Sequence, residues 1–381
     1  MRILIALTYY RPHVSGLTIY AERLARGLAR RGHVVTVLTS RFAPTLALRE
    51  TVDGVAIVRV PILAKLSKGV IMPRFPRYAA DCIGNCDVIN VHMPQFEAAL
   101  LAGLARLGRR GVVLTYQCDL RLPHGLLNRI VEASLRPLNH LAASAAHAVV
   151  TTSEDYASHS TYLSRHTGKL HAIAPPVDLP EPSAAETERL VARWQLNDGV
   201  RIGFAARFAA EKGVEYLLRA LPAVVEAEPG TRVIFTGAYK DTVGEEDYWQ
   251  QLAPLLERYR DRVVFLDLLP AEAMPSFYAL CDVIAVTSLN STEAFGMVQV
   301  EAMLCGTPVV ATDLPGVREP VRRTGMGRIV PPRDPDALAA ALLDVIRNRA
   351  QYVRPRAAVA AAFDLERSLS QYEQLFESVA R

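Results

Sequence analysis

Short runs of consecutive apolar, often β-branched residues alternate with amphipathic stretches along the first half of the chain. The apolar runs are residues 2–8, 34–40, 55–60, 88–92, 112–116 and 148–152. Runs that are apolar throughout are typical of strands in a parallel sheet covered on both faces. Between the first two runs, residues 18–31 have apolar side chains at helical spacing and end before Gly32, which favours a helix C-terminus. The pattern predicts repeated strand–helix–strand units.

The alternation stops at residues 174–183, which contain four prolines, and then resumes. Proline cannot donate to a sheet ladder, so this segment predicts a stiff linker between two domains. A polar helix follows, ending near Trp194. Six further apolar runs predict a second sheet, at residues 201–206, 232–237, 262–267, 282–287, 308–312 and 327–330. The last 25 or so residues predict one or two helices, bent near Phe363 and Asp364.

With 381 residues, the chain is longer than one hydrophobic core usually supports. Half of the residues are hydrophobic and 22% are charged, which excludes a mainly disordered chain or a coiled coil. We predict an α/β protein with two Rossmann-like, doubly wound parallel-sheet domains facing a central cleft. The domains are residues 1–174 and 175–358, with a C-terminal helix at 359–381 that returns to the first domain. In such sheets ligands bind beyond the carboxyl ends of the strands.

Charge is distributed unevenly between the two halves. Residues 1–175 contain 21 Lys and Arg against 10 Asp and Glu, and the remainder contains 22 against 29. A basic first domain suits an anionic partner such as a lipid headgroup or a phosphorylated acceptor, with solvated surface arginines as an equal alternative. Residues 65–77 mix four cations with apolar side chains that we expect to be exposed, which suits either a loop on an anionic membrane or a solvated acceptor-side loop. We do not expect a nucleic-acid partner.

Targeting and metal signals are weak. No apolar run approaches the roughly 18–20 residues that span a bilayer, and the N-terminus lacks a signal-peptide pattern. We therefore expect a cytoplasmic protein, with the inner face of the membrane as an open alternative. The cysteines have no zinc-like second pair and predict reduced structural thiols: Cys82, Cys86, Cys118, Cys281 and Cys305. Asp334 and Asp336 form an Asp-x-Asp that helix capping explains, so we expect no metal and no cofactor.

The strongest chemical signal lies at residues 291–313. Glu293 falls in a loop after a predicted strand, Gly296 precedes a predicted helix, and Glu301 lies about one turn into that helix. A helix N-terminus presents free N–H groups to a phosphate. Carboxylates cannot bind phosphate, but they accept hydrogen bonds from hydroxyl groups. The combination predicts a diphosphate flanked by two polyols, which describes a nucleotide sugar.

A second signal follows the first strand of the second domain, at residues 203–213. Arg207 and Lys212 bracket a loop that leads into a predicted helix, and two cations at a strand end neutralise a pyrophosphate. The alternative is a surface loop in which these cations pair with Glu211 or Glu215. In the first domain, Gly16 lies between the first strand and its helix, where a glycine allows close approach of a ligand.

Together these segments resemble family 4 of the retaining glycosyltransferases, with the GT-B fold, over nearly the whole chain. The Glu-x7-Glu block that continues through residues 301–312 is highly specific to that family, and residues 28–37 match it as well. The resemblance implies that Arg207 and Lys212 hold the donor diphosphate and that Glu293 contacts the donor sugar. It further implies that Glu301 contacts the ribose and that Gly16, from the first domain, contacts the diphosphate. Backbone contacts to the sugar and phosphate are implied for Phe295, Gly296, Met297 and Val298.

Side chains on the acceptor or donor-sugar side are predicted from the first domain. Gln117 stands where the family usually has a histidine, and an amide cannot donate a proton as an imidazolium does. His92 ends a strand and either faces the cleft or is structural. Asp119 either orients an acceptor or caps the following helix, and His124 is a weaker acceptor candidate.

The expected function is retaining, metal-independent transfer of a hexose from a nucleoside diphosphate sugar to a hydroxyl of a lipid-linked, glycan or small-molecule acceptor. Two alternatives stay open: a sugar-nucleotide epimerase or hydrolase built on the same two-domain shell, and a non-catalytic nucleotide-sugar-binding protein. A dinucleotide-dependent oxidoreductase is disfavoured because no Gly-x-Gly-x-x-Gly follows a first strand.

Overall fold

Two separate sheets organise the fold, which a computed structural model describes for residues 1–66, 69–119, 126–239 and 246–380. One unit consists of Met1–Pro176 together with Asp364–Arg381, and the other is Val177–Phe363. The Pro-rich segment that contains the boundary has no helix or strand.

The first unit has an eight-stranded sheet in the order β10-β9-β8-β7-β1-β2-β4-β3. Its pairings are parallel except β3 with β4, and β5 and β6 form a separate antiparallel hairpin. Every residue of β7 and β8 is buried, as expected for central strands covered on both faces. The strands are β1 (Arg2–Ala6), β2 (Val34–Arg41), β3 (Arg49–Val52), β4 (Val55–Pro61), β5 (Ala64–Leu66), β6 (Gly69–Ile71), β7 (Val88–Met93), β8 (Gly111–Tyr116), β9 (Ala148–Thr151) and β10 (Leu170–Ala172).

The last helix of the chain belongs to this first unit and packs on its first helix. A Cβ on Gly27 would lie 2.6 Å from Leu369 Cδ1, so the glycine permits the close approach. Arg31 forms ion pairs with Glu366 and Glu373 across the same contact. The helices of the unit are α1 (Gly16–Arg30), α2 (Phe75–Gly84), α3 (Ala98–Leu107), α4 (Leu126–Ala145), α5 (Glu154–His159) and α15 (Leu365–Val379).

The second unit has a six-stranded parallel sheet in the order β13-β12-β11-β14-β15-β16. Its core is built from apolar residues of the strands, α7, α8 and α12. The strands are β11 (Arg201–Ala205), β12 (Arg232–Thr236), β13 (Val263–Phe265), β14 (Val283–Val286), β15 (Val309–Thr312) and β16 (Gly327–Val330). The helices are α6 (Ala184–Trp194), α7 (Val214–Ala227), α8 (Glu246–Arg258), α9 (Met274–Leu280), α10 (Met297–Leu304), α11 (Glu319–Thr324), α12 (Pro335–Arg347), α13 (Arg349–Tyr352) and α14 (Arg356–Ala362).

The predicted α/β fold class is confirmed, and each predicted strand is present. The sequence pattern missed the exposed edge strand β3, the short hairpin β5–β6 and the edge strand β10, because strands with few buried residues have no continuous apolar run. In the basic segment 65–77, the expectation of exposed apolar side chains is wrong for Val70, Met72 and Phe75, which are buried.

Candidate functional site

The loops after β11 and β14 start from neighbouring strands of the second sheet. Ile202 pairs with Val283 and Gly203 with Ile284. From β11 the sheet continues on one side through β12 and β13, and from β14 on the other side through β15 and β16. The strand order reverses between β11 and β14, and such a switch point opens the crevice in which doubly wound sheets bind ligands. The two loops that the sequence selected therefore flank one crevice.

Backbone and hydroxyl hydrogen bonds join these two loops. Thr287 Oγ1 donates to Lys212 O at 2.8 Å and to Gly213 O at 3.0 Å, and Leu289 N donates to Glu211 O at 2.9 Å. Gly213 has a φ of +64°, and a Cβ there would lie 2.4 Å from Thr287 O. Only glycine fits this close approach in a left-handed conformation. Nothing in the sequence pattern indicated the role of Thr287.

Both predicted cations of the crevice are paired with carboxylates. Lys212 Nζ contacts Glu293, and Arg207 contacts Glu211, which is the pairing that the surface-loop alternative named. Ser288 Oγ also donates to Glu293 Oε2 at 3.4 Å. These ion pairs hold the two cations beside the strand ends, and both cationic side chains remain partly exposed. A diphosphate with two or three negative charges would compete for both cations.

A helix N-terminus completes the same edge. α10 begins directly after Gly296, which has a φ of +76°, and the backbone N–H groups of its first two residues, Met297 and Val298, have no partner inside the helix. Phe295 is buried with its ring edge against Phe363.

Glu301 lies one turn into α10 and is buried. Its Oε2 accepts a hydrogen bond of 2.6 Å from the hydroxyl of Tyr278, which is on α9. Tyr278 had no sequence signal, because a tyrosine in an apolar helix is ordinarily a core residue.

In the first unit, Gly16 is the first residue of α1. Ser15, the residue before it, is the N-cap of this helix, and its Oγ accepts from Thr18 N at 3.2 Å. The side chain of Ser15 therefore caps the N-terminus of α1.

His92 and Gln117 are brought together at the ends of β7 and β8. Gln117 Nε2 lies 2.5 Å from His92 Nδ1 and 3.4 Å from Leu17 O. Of the two interpretations of His92, burial favours the structural one over a side chain that faces the cleft. The residue is 1% exposed, and its Nε2 is buried without a hydrogen-bond partner among the described residues. Burial lowers the pKa of His92 to about 3, so the imidazole is neutral.

Asp119 has structural partners. Its Oδ1 accepts from Tyr116 Oη at 2.8 Å and from Ser160 Oγ at 3.0 Å, and its backbone N donates to Tyr156 Oη at 2.7 Å. These bonds tie the end of β8 to α5 and its C-cap residue. His124 lies outside the described residues.

The remaining sequence signals are structural. Asp334 Oδ1 accepts from Ala337 N at 2.9 Å, so it caps α12 as expected. The cysteines are free thiols, and burial raises the pKa of Cys86 to about 12. Across the described ranges, the structure has no group of three or more His, Cys, Asp or Glu that could hold a metal ion, and none of its described helices is long and apolar enough to cross a membrane.

Two Rossmann-like units in one chain define the GT-B fold of glycosyltransferases. Anabaena HepE in complex with UDP and glucose has this fold with a TM-score of 0.79, covering 99% of this chain and 100% of that one at 21% identity. Residues 15–176 match the glycosyl transferase 4-like domain, and residues 199–348 match the glycosyl transferases group 1 model. The matches fall in both units, and the chain belongs to the group 1 glycosyltransferases.

Two curated relatives extend over most of the chain. An uncharacterised glycosyltransferase of Methanocaldococcus jannaschii is 28% identical over 89% of this chain and 87% of its own length. The phosphatidyl-myo-inositol mannosyltransferase of Mycobacterium leprae is 27% identical over 100% of this chain and 97% of its own length.

Proposed function

We propose that the protein transfers a hexose from a nucleoside diphosphate sugar to a hydroxyl group, with retention of configuration at the anomeric carbon and without a metal ion. The observation that carries this proposal is the crevice between β11 and β14, which joins Arg207, Lys212, Glu293 and the N-terminus of α10. The mannosyl transfer named for the mycobacterial relative and the UDP and glucose bound to Anabaena HepE support a hexose and a nucleotide donor.

The chemistry follows from where charge develops. The acceptor oxygen bonds to the anomeric carbon as the bond from that carbon to the phosphate oxygen breaks, and the electron pair leaves with the diphosphate. The departing phosphate oxygen takes the proton of the acceptor hydroxyl. Arg207, Lys212 and the first N–H groups of α10 stabilise the negative charge on the leaving group. We assign hydroxyl contacts on the donor sugar to Glu293 and on the ribose to Glu301.

Activity of single-site variants tests this assignment. Lys212→Ala and Arg207→Ala should each lower kcat by about 10²–10³, the usual effect of removing one group that stabilises transition-state charge. Arg260→Ala is the matched control, because Arg260 is a surface cation of the same unit whose ion pairs among the described residues are with its chain neighbours Glu257 and Asp261. Equal activity of all three variants would contradict the assignment.

Product analysis separates the alternatives. An α-linked product from an α-linked donor, measured by NMR, supports retention, and a β-linked product contradicts it. Isomerised or hydrolysed donor without acceptor indicates the epimerase or hydrolase, and binding without any turnover indicates a non-catalytic protein.

Activity retained after EDTA treatment supports metal independence, whereas activity restored only by Mn²⁺ or Mg²⁺ contradicts it.

We also propose that the hairpin β5–β6 contacts an anionic lipid surface. Leu63 directly before the hairpin and Ile71 at its end are exposed, and Lys65, Arg74 and Arg77 are exposed on or near it. Apolar side chains beside cations suit an anionic interface. Sedimentation should increase with vesicles that contain anionic phospholipid, and Leu63→Asp should reduce it. Sedimentation that does not depend on anionic lipid would contradict this contact.

A further inference from the structure

A cluster of buried polar side chains lies on one face of the first sheet, between the sheet and the helices α1 and α15. His92 and Thr115 are paired neighbours on β7 and β8, so their side chains lie on the same face. Each member of the cluster is less than a tenth exposed: Tyr20, Asn90, His92, Thr115, Gln117 and Tyr372.

Tyr372, on the C-terminal helix, is at the centre of this cluster. Its hydroxyl lies 2.7 Å from the hydroxyl of Tyr20 and 3.1 Å from Thr115 Oγ1. Thr115 Oγ1 in turn accepts a hydrogen bond of 2.8 Å from Asn90 Nδ2. One phenol therefore connects α15 with α1 and with two central strands.

Both hydrogen-bond partners of Tyr372 lead to the His92–Gln117 pair. The ring of Tyr20 meets His92 edge-on, with centroids 5.6 Å apart at 76°. Thr115 lies near the end of β8, two residues before Gln117, which directly follows the strand. The hydroxyl of Tyr372 is thus hydrogen-bonded to the side chain whose ring packs against His92 and to the side chain of a residue in the strand that leads to Gln117.

Folding stability alone does not explain why these polar groups are buried here. Replacing both partners of a buried hydrogen bond with apolar groups of the same shape is often nearly neutral for folding. The hydrogen bonds that join Tyr372 to Tyr20 and Thr115 instead fix one arrangement of these side chains. Here the arrangement lies directly beneath the carboxyl ends of β7 and β8, the edge at which a doubly wound sheet binds its ligands.

We propose that Tyr372 is a positioning residue for the transfer reaction, which fixes the His92–Gln117 pair through its hydrogen bonds to Tyr20 and Thr115. This proposal rests on the proposed function. The C-terminal helix accordingly contributes to the reacting geometry, although none of its residues belongs to the predicted site.

Tyr372→Phe removes the one hydroxyl and keeps the ring. We expect kcat to fall about ten-fold, less than the roughly 100-fold that a 1 Å misplacement costs, while the Kd for the nucleotide stays unchanged. Tyr20→Phe should have the same effect, and the double variant should be no worse than either single variant, because the two hydroxyls act as one unit. Tyr162→Phe is the matched control, since its buried hydroxyl donates to Asn139 O at 2.8 Å and is not bonded to the cluster.

A second readout does not need activity. The side-chain ¹⁵N resonances of His92, assigned with His92→Gln, should shift in Tyr372→Phe and not in Tyr162→Phe. Unshifted resonances, or a kcat equal to that of the control in an active enzyme, would overturn the inference. A wild-type protein without transferase activity would refute the proposed function instead, and the resonance shift would then still report whether Tyr372 fixes His92.

Discussion

Gly213→Ala tests the junction between the two crevice loops. Gly213 has a φ of +64°, and a methyl group would lie 2.4 Å from Thr287 O and 2.8 Å from Leu289 Cδ2. The left-handed conformation costs a non-glycine residue about 1–2 kcal/mol. Relieving the contact with a backbone oxygen adds about 1–3 kcal/mol, as overpacking usually does. The free energy of unfolding should therefore fall by roughly 2–5 kcal/mol.

Gly306→Ala separates the two contributions. Gly306 also has a positive φ, of +77°, but apart from its chain neighbours no atom of the described residues lies within 4 Å of the position that its methyl group would take, so only the conformational cost of about 1–2 kcal/mol remains. Urea unfolding followed by tryptophan fluorescence reports on the correct unit, because Trp194 and Trp249 both lie in the second unit. Nucleotide affinity should fall only in Gly213→Ala, because Lys212 adjoins the altered residue. Equal destabilisation of the two variants would refute the close-contact argument.

Three further predictions concern stability. The pKa of His92 is 6.5 in the unfolded chain but about 3 in the folded chain, so only the unfolded chain takes up a proton between these pH values. The free energy of unfolding should therefore decrease as pH falls through this range, by up to about 1.4 kcal/mol per pH unit. The urea midpoint of His92→Gln should decrease less over the same range. Asp334→Ala should cost about 1 kcal/mol in the same assay, because the cap on Ala337 N is lost, and an unchanged midpoint would contradict the cap. Gly27→Ala should not give the stabilisation of about 1 kcal/mol that helix propensity alone predicts, because its methyl would meet the buried side chain of Leu369 at 2.6 Å; a rise in Tm would contradict this close contact.

The central strands of both sheets could be predicted because such parallel strands need side chains that are apolar on both faces. The break at Phe363 and Asp364 was also visible, and the structure has α14 before it and α15 after it. The residue types of the crevice were visible as well, since a Gly before a helix and cations after a strand have few structural reasons to occur together.

The partners of these residues could not be predicted, because they depend on which strands become neighbours. Thr287 and Tyr278 contact crevice residues from distant parts of the chain, and nothing in their local sequence distinguishes them from core residues. The burial of His92 likewise depends on α1 covering the end of β7, with Tyr20 against its ring. Pattern analysis locates strand ends, whereas the packing of helices over them decides which side chains stay accessible.

Isothermal titration of UDP, GDP and ADP in the presence of EDTA tests the central claim, that the crevice between β11 and β14 binds a nucleoside diphosphate through its cations. We predict that one of the three binds the wild-type protein. We further predict that Lys212→Ala weakens that binding by about 10–100-fold, whereas Arg260→Ala leaves it unchanged. The expected loss corresponds to one charge-assisted hydrogen bond of about 1.5–3 kcal/mol. Binding of equal strength in wild type and Lys212→Ala, or binding of none of the three nucleotides, would contradict the account.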